Sequence, residues 1–149
     1  MKVDTPGAVL FSCTMNVIRS PMAEAIMKHL HGRRIYVDSV GVRSAGVVDG
    51  FAITVMDEIG IDLSRHHSKT FDDLADSSFD YVITLSPEAQ HRAVEMTRTM
   101  ACEVLFWNTF DPSVLPEDAP REEKLNAYRL VRDQLMTRIK EQFPLAPAP

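Results

Sequence analysis

The fold is decided by residues 8–21, AVLFSCTMNVIRSP. The apolar run from Ala8 to Ser12 predicts a buried strand. Pro21 predicts the start of a helix that runs to His31, because the first turn of a helix does not use its backbone N–H groups. A strand that passes through a short loop into a helix is the first part of a βαβ unit, which is typical of α/β proteins.

Short apolar runs alternate with amphipathic segments along the rest of the chain. Further strands are predicted at 35–42, 81–85 and 103–107, and further helices at 51–59, 87–98 and 121–143. Gly60 is expected to end the second helix. The alternation predicts an α/β fold, a three-layer sandwich in which a four-stranded parallel sheet has helices on both faces. Ligands of such sheets bind at the carboxyl ends of the strands, where the loop from Cys13 begins.

The length and charge of the chain exclude several classes of protein. Its 149 residues suit one domain, 1–149, in which 1–7 and 144–149 are expected to be frayed. No apolar run approaches the roughly 20 residues that span a bilayer, and the N-terminus is too weakly basic for a signal peptide. We therefore expect a cytoplasmic protein without a membrane partner. The net charge of −5 argues against a nucleic-acid partner.

The cysteines and histidines predict neither disulfides nor a metal site. Cys13 and Cys102 are the two cysteines, too few for a disulfide framework and suited to a reducing compartment. The five histidines form no His-x-x-x-His pair, and Cys-x-x-Cys is absent from the sequence. We therefore predict no metal and no cofactor.

The loop after the first strand predicts a site for phosphate or a similar oxyanion. A wrapped loop directs its N–H groups at one point, and the following helix adds about +0.5 charge there. Arg19 supplies a planar fork that matches two phosphate oxygens, and the same field favours a nucleophilic thiolate at Cys13. Taken alone, Cys13 would be interpreted as a small buried hydrophobe at a strand end, and Arg19 together with the helix start favours the nucleophile instead. The predicted phosphate-binding residues are Thr14, Met15, Asn16, Val17, Ile18, Arg19 and Ser20.

The loop and the helix after it, 20–26 (SPMAEAI), resemble the low-molecular-weight protein tyrosine phosphatase family. That family shares its fold with the thioredoxin-linked arsenate reductases. Segments 39–41, 60–66 and 79–83 and the pair Asp111-Pro112 resemble the family's later motifs, in the same order and spacing. The resemblance therefore extends over most of the chain.

The resemblance implies a role for each of these residues. Cys13 is the expected nucleophile, which forms a phosphocysteine, and Arg19 binds the phosphoryl oxygens. Asp111 is the expected general acid and then the base that activates water; by itself, Asp-Pro would be read as a turn. An asparagine in an unusual backbone state is supported in the family by two serines and a histidine. The corresponding residues are Asn16, Ser20, Ser39 and His66.

The sequence departs from the family pattern at three places in the predicted site. Met15 replaces a glycine, Ile18 replaces a second loop cysteine, and Ser113-Val114 replaces aromatic residues that wall the substrate ring. The last change weakens the case for phosphotyrosine in particular. The aromatic residues that remain as candidates for this wall are Phe51, Phe110 and Trp107, of which Trp107 is expected in the core.

The sequence is compatible with three functions. The favoured one is a cysteine-dependent hydrolase of a phosphorylated protein or a small aryl phosphate, most simply a protein-tyrosine phosphatase. The second is an arsenate reductase that uses an external small thiol, because 106–107 and 132–133 look like that branch. Its resolving cysteines are missing, since Ser86 stands at the first of them and Cys102 is expected in buried packing. The third is a non-catalytic module that binds phosphate or a phosphopeptide, and binding alone would not need a leaving-group acid such as Asp111.

Overall fold

Four short parallel strands and four helices make up the fold in the computed structural model, which describes residues 6–44, 46–74 and 78–145. The strands are β1 (Ala8–Cys13), β2 (Tyr36–Gly41), β3 (Tyr81–Thr84) and β4 (Glu103–Phe106). The helices are α1 (Arg19–His31), α2 (Gly50–Asp57), α3 (Pro87–Met96) and α4 (Arg121–Gln142). Single 3₁₀ turns at Phe71–Asp73 and Pro112–Val114 lie between these elements.

In the strand order β2-β1-β3-β4, β1 is an inner strand. Its carboxyl end therefore lies near the middle of the row formed by the carboxyl ends of the four strands, which is called one edge of the sheet below. The chain leaves β1 toward β2 on one side, and later enters β3 on the other side. This reversal makes a topological switch point, where open α/β sheets bind their ligands. Cys13 pairs with Gly41, and the register from β1 through β3 to β4 brings Thr84 and Phe106 to the same edge.

Helices cover both faces of the sheet, which confirms the predicted three-layer α/β fold. Alternate β1 residues point to opposite faces. Phe11 and Cys13 belong to the larger apolar cluster, which includes residues of α1, α2 and α4. Leu10 belongs to the smaller cluster, with Ala93 and Met96 of α3. No helix of the described residues is both long and apolar enough to cross a membrane.

The boundaries of all four predicted helices differ from those observed, the fourth by one residue at its end, Gln142. The first helix begins two residues early, at Arg19, so that Pro21 is its third residue and still lies in the first turn. The second ends at Asp57, and Gly60 follows it in the left-handed region at φ +78°. The third ends at Met96, where the hydroxyl of Thr97 donates to the carbonyl of Val94 at 2.6 Å and completes the last turn.

The predicted frayed ends lie mostly outside the described residues, which exclude 1–5 and 146–149. Both backbone polar groups of Gly7 form hydrogen bonds. Its N–H donates to Asp80 Oδ2 at 2.7 Å, and its carbonyl accepts from the N–H of Tyr36 at 2.9 Å.

An ion-pair network joins the C-terminal end of α2 to the middle of α4. Arg129 donates from Nη2 and Nε to the carboxylate of Glu58 at 2.7 to 3.1 Å. Arg132 donates from Nη1 to Glu58 Oε1 and to the carbonyl of Val55, both at 2.8 Å. The hydrogen bonds from Arg129, followed by those from Arg132, lower the pKa of Glu58 from 4.5 to about 2.

Candidate active site

The loop between β1 and α1 holds Cys13 in a polar environment. Cys13 is only 2% exposed, and its Sγ lies 2.9 Å from the hydroxyl of Ser20. The backbone N–H of Asn16 donates to the same sulfur at 3.3 Å. Both groups can donate to a thiolate, and the N-terminus of α1 adds its positive dipole end. The surroundings of Cys13 therefore suit a charged nucleophile better than a buried hydrophobe.

Arg19 is fixed at the first position of α1 by three oxygen atoms. Its Nη1 donates to the carbonyl of Thr109 at 3.0 Å, and Nη2 donates to Thr14 Oγ1 at 3.4 Å. Nη2 also lies 3.7 Å from Oδ2 of Asp111. The guanidinium thus joins the loop after β1 to the loop after β4. These contacts hold its planar fork in place before an oxyanion arrives.

The carboxylate of Asp111 has one anchored oxygen and one that faces Arg19. Oδ1 accepts the backbone N–H of Ser113 at 3.0 Å and its hydroxyl at 2.7 Å. Asp111 has extended backbone angles directly before Pro112, as expected for a residue that precedes proline. The structure therefore brings Cys13, Arg19 and Asp111, predicted from distant parts of the sequence, to one edge of the sheet.

Asn16 is the centre of the loop and has a left-handed backbone with φ +58°. Asparagine tolerates this region better than most residues. Its Nδ2 donates to Ser20 Oγ at 2.8 Å and to Ser39 Oγ at 3.0 Å. Its Oδ1 accepts His66 Nε2 at 3.1 Å and the N–H of Lys69 at 2.9 Å. The structure thus places Ser20, Ser39 and His66 around Asn16, as the family resemblance implies.

The sequence analysis did not predict a role for the buried carboxylate of Glu24, which lies next to this network. Glu24 of α1 accepts the hydroxyl of Ser39 at 2.5 Å and forms an ion pair with Lys28. It also lies 3.8 Å from Nδ1 of His66. Burial lowers the pKa of His66, and the charge of Glu24 acts in the opposite direction. The available signal was the i, i+4 spacing of Ser20 and Glu24, which puts both on one helix face.

The remaining loop residues are held by their backbones. The carbonyl of Met15 accepts the hydroxyl of Ser68 at 2.8 Å, and the carbonyl of Val17 accepts the N–H of Asp49 at 3.0 Å. Ile18 is buried in the larger apolar cluster. Side chains of Val17 and Ile18 are apolar, so that only their backbone N–H groups suit an oxyanion. Ser68 and Asp49 are supports that no sequence motif indicated.

Gly41 is required by the close passage of the loop between β1 and α1. A Cβ atom on Gly41 would lie 2.8 Å from the carbonyl carbon of Met15 and 2.8 Å from the nitrogen of Asn16. Both are backbone atoms, which cannot move aside cheaply. Glycine at the end of β2 therefore allows the loop to pack against the strand even with methionine at position 15.

Three other predicted positions can be compared with the structure. His67 is exposed, as expected. Ser86 is buried and caps α3, and its Oγ accepts the hydroxyl of Thr14 at 3.1 Å. Cys102 is only partly buried and precedes β4, whereas buried packing at the strand start was expected. It precedes β4, one of the two edge strands, and packs at the margin of the smaller apolar cluster, which buries it only in part.

A cavity of about 680 Å³ lies behind the loop, between α1 and the segment 60–69. Glu24 and His66 line it, but Cys13, Arg19 and Asp111 do not. It is therefore separate from the candidate active site. Within the described part of the chain, no three His, Cys, Asp or Glu side chains are grouped so that they could hold a metal ion.

Comparisons with known proteins agree with this architecture. The model of the low molecular weight phosphotyrosine protein phosphatase family matches residues 8–143. An arsenate reductase of Halalkalibacterium halodurans is 35% identical over 132 residues, which cover 89% of this chain and 91% of that protein.

Solved structures show the same likeness. An arsenate reductase in its phosphate-binding state is 29% identical with a TM-score of 0.69, and the match covers 91% of this chain and 95% of that chain. A low molecular weight protein tyrosine phosphatase from T. tengcongensis is 26% identical with a TM-score of 0.73, covering 91% of this chain and 97% of that chain.

Proposed function

Because the chain belongs to the low molecular weight phosphotyrosine protein phosphatase family, we propose that it is a cysteine-dependent phosphomonoester hydrolase. The observation that carries the proposal is the approach of Asp111 to Arg19, 3.7 Å apart, beside the loop of Cys13. An oxyanion-binding protein needs the loop and the arginine alone. A hydrolase also needs an acid at the leaving group, and Asp111 is in the position to supply it.

In the first step, the Cys13 thiolate attacks phosphorus. The S–P bond forms while the ester P–O bond breaks, and protonated Asp111 transfers its proton to the departing oxygen. Arg19 and the N–H groups of residues 14–20 hold the other phosphoryl oxygens, whose charge they stabilise. The product of this step is a phosphocysteine and the free alcohol or phenol.

In the second step, the Asp111 carboxylate takes a proton from water as the water oxygen attacks phosphorus. The S–P bond breaks, and phosphate and the Cys13 thiolate are released. The Ser20 hydroxyl, 2.9 Å from the sulfur, donates a hydrogen bond to this leaving thiolate. We place the enzyme in the cytoplasm, where Cys13 stays reduced, and phosphotyrosine in a protein or a small aryl phosphate is the substrate proposed for it.

Turnover of p-nitrophenyl phosphate tests the proposal. Wild-type protein and Cys102→Ser should release p-nitrophenol at equal rates, whereas Cys13→Ser should be inactive and still bind phosphate. Cys102 is the matched control, because it is the second cysteine and precedes the outer strand. Activity retained in Cys13→Ser at more than a small percentage would disprove the nucleophile.

Arsenate reduction with an external thiol is the second candidate, favoured by the names of the curated relatives. Cys13 would displace water from arsenate and form an S–As bond. A small thiol then attacks Sγ, the bonding electron pair stays on arsenic as arsenite, and a mixed disulfide forms. A second thiol releases Cys13 and yields the thiol's own disulfide. Cys102 cannot serve, because the register places it at the opposite sheet edge from Cys13.

Arsenite formation separates the two candidates. The protein is incubated with arsenate and either glutathione, mycothiol or thioredoxin, and arsenite is measured. Reduction that requires glutathione or mycothiol supports the second candidate. Reduction by thioredoxin without a small thiol would contradict this scheme. If the protein turns over p-nitrophenyl phosphate but reduces no arsenate, hydrolysis remains as the function.

A further inference from the structure

The side-chain amide of Asn16 uses its full hydrogen-bonding capacity inside the protein. Nδ2 donates to two serine hydroxyls, and Oδ1 accepts from His66 and from the backbone N–H of Lys69. An amide offers two donors and two acceptor lone pairs, so both of its ends are saturated. The backbone N–H of Asn16 donates to Cys13 Sγ at 3.3 Å. The side-chain amide therefore fixes a residue that directly contacts the proposed nucleophile.

Lys69 and Ser39 hold opposite ends of this amide. The N–H of Lys69 donates to Asn16 Oδ1 at 2.9 Å, and Asn16 Nδ2 donates to Ser39 Oγ at 3.0 Å. Ser39 belongs to β2, whereas Lys69 lies in a separate segment beside the end of that strand, where its carbonyl accepts the N–H of Gly41 at 2.8 Å. The amide stays in place only while these two segments keep their positions relative to each other.

One carboxylate oxygen joins the two segments. Asp38 Oδ1 accepts Lys69 Nζ at 2.6 Å and the backbone N–H of Ser39 at 2.9 Å. The side chain of Asp38 is only 16% exposed and that of Lys69 31%, so this ion pair is better shielded from water than a surface pair. Hydrogen bonds thus form a closed ring that runs from Asp38 through Lys69, Asn16 and Ser39 back to Asp38.

The ring surrounds a strained residue. Asn16 has φ +58°, and a non-glycine residue keeps a left-handed backbone only where its surroundings over-determine it. Glu24 fixes the hydroxyl of Ser39, at 2.5 Å, whereas Asp38 fixes its backbone N–H. A negative charge close to an oxyanion site disfavours the oxyanion, and the ammonium group of Lys69 balances the charge of Asp38. The geometry of the ring is therefore the contribution that favours a carboxylate at this position.

We propose that Asp38 is a positioning residue of the loop between β1 and α1. Its shared oxygen holds Lys69 and Ser39 together, so that Asn16 keeps the N–H groups of the loop directed at the oxyanion. The inference rests on the proposed function for the identity of that oxyanion. It adds to the four residues named from the family resemblance a further one that acts on the loop through two of its neighbours.

Affinity for inorganic phosphate tests this role. Phosphate is titrated calorimetrically near neutral pH into the wild-type protein, Asp38→Ala and Asp38→Asn. The alanine opens the ring and should weaken phosphate binding by about tenfold, equivalent to about 1.4 kcal/mol. Loss of a negative charge alone would strengthen anion binding, so the two effects have opposite signs. The asparagine keeps an acceptor oxygen without the charge, and it should restore binding to within about threefold of wild type.

A charge-balanced variant and a matched control complete the test. Asp38→Ala/Lys69→Met removes one charge of each sign, and it should lose no more than Asp38→Ala because a ring is opened only once. Asp72→Ala removes an exposed carboxylate from the ion pair with Arg92 and should bind phosphate like the wild type. Denaturant unfolding verifies that each variant is folded during the titration. If Asp38→Ala does not fold, Lys69→Met and Asp38→Asn provide the same comparison.

Four results would overturn the assignment. Phosphate binding in Asp38→Ala as tight as in the wild type, or tighter, would leave only the charge of Asp38. Wild-type affinity in the double variant would do the same. Asp38→Asn as weak as Asp38→Ala would assign the effect to the lost ion pair instead of the shared oxygen. An equal loss in Asp72→Ala would reveal a general response to a lost carboxylate.

These outcomes differ from failure of the proposed function. Phosphate binding is common to a hydrolase, an arsenate reductase and a binding module, so the ring can be tested on a protein that does not turn over p-nitrophenyl phosphate. Conversely, an active hydrolase whose phosphate affinity is unchanged in Asp38→Ala would lack the ring effect and keep its function.

Discussion

Asp111 Oδ2 lies 3.7 Å from Arg19 Nη2, whereas Oδ1 of the same carboxylate is anchored by Ser113. One oxygen of the proposed acid is thus fixed by the turn, and the other faces Arg19, the group proposed to bind the phosphoryl oxygens. In the proposed mechanism, this division leaves Oδ2 as the oxygen that carries the proton for the leaving group.

Asp111→Asn should reduce kcat according to the leaving group. Phenols of high pKa need the proton, so their esters should lose about 10²- to 10⁴-fold, whereas p-nitrophenyl phosphate should lose much less. The measurement is kcat across a series of aryl phosphates. Ser113→Ala, which keeps the acid and removes one anchor, should show the same trend with smaller losses. An equal loss for every ester would assign Asp111 a structural role in the Pro112 turn.

Two replacements of Asn16 should separate the contribution of its backbone conformation to stability from that of its side-chain hydrogen bonds. Asn16→Gly keeps the left-handed φ and removes the side-chain hydrogen bonds to buried partners, which should lower the unfolding free energy by about 1–3 kcal/mol and reduce kcat. Asn16→Ala loses the same bonds and adds about 1 kcal/mol of backbone strain. Denaturant unfolding and p-nitrophenyl phosphate turnover check this. An alanine variant as stable as the glycine variant would contradict the strain at Asn16.

Peroxide should inactivate the enzyme with poor recovery in dithiothreitol. Cys13 ends β1, whereas Cys102 precedes β4 at the level where β1 begins. The two cysteines are therefore offset along the strand direction by five residues, which corresponds to about 17 Å. A disulfide requires a Cα separation of only about 4.4–6.8 Å. Sulfenic acid at Cys13 therefore meets no internal thiol and proceeds to sulfinic acid.

Intact mass and activity after peroxide, with and without dithiothreitol, measure this outcome. Cys102→Ser should behave like the wild type, and Ile18→Cys should improve recovery. A loss of two hydrogens that joins Cys13 to Cys102, together with full recovery, would show that the sheet register is wrong.

Glu58→Gln should destabilise the protein in a pH-dependent way. The folded pKa of Glu58, about 2, lies below its ordinary 4.5. Its charge therefore stabilises the folded state above pH 4.5, and this contribution disappears as the pH falls from 4.5 toward 2. The Tm difference between wild type and Glu58→Gln should be largest near neutral pH and shrink below pH 4.5. The exposed Glu95→Gln is the control, and a constant Tm difference for Glu58→Gln would contradict the assignment.

Much of the fold could be predicted because each strand is short, apolar and followed by a helical pattern. The start of α1 was misplaced because Pro21 is a strong signal for a first turn but does not specify which residue of that turn it occupies. The partial burial of Cys102 could not be predicted, since it lies at the margin of the smaller apolar cluster, and the extent of that cluster is set by the packing of whole elements rather than by the strand's own sequence.

The residues of the candidate active site likewise fall into those that the sequence predicts and those that only the fold reveals. Cys13 and Arg19 are recognisable because their chemistry is local to one loop, and Asp111 became recognisable through the family resemblance. Glu24 had only its i, i+4 spacing from Ser20 as a signal, and Asp49 and the backbone of Lys69 had none, because each acts through a contact between distant segments. Their residue types are common on any protein surface, and only the fold shows which ones are turned inward.

The most direct test of the central claim is the intact mass of the protein during turnover. Asp111→Asn slows release of phosphate from the phosphocysteine, because the base that activates water is missing. Acid-quenched Asp111→Asn with p-nitrophenyl phosphate should therefore carry one added phosphoryl group, located on Cys13 by peptide mapping and absent from Cys13→Ser/Asp111→Asn. A phosphoryl group on another residue, or p-nitrophenol released without any adduct in rapid-quench samples, would contradict nucleophilic catalysis by Cys13.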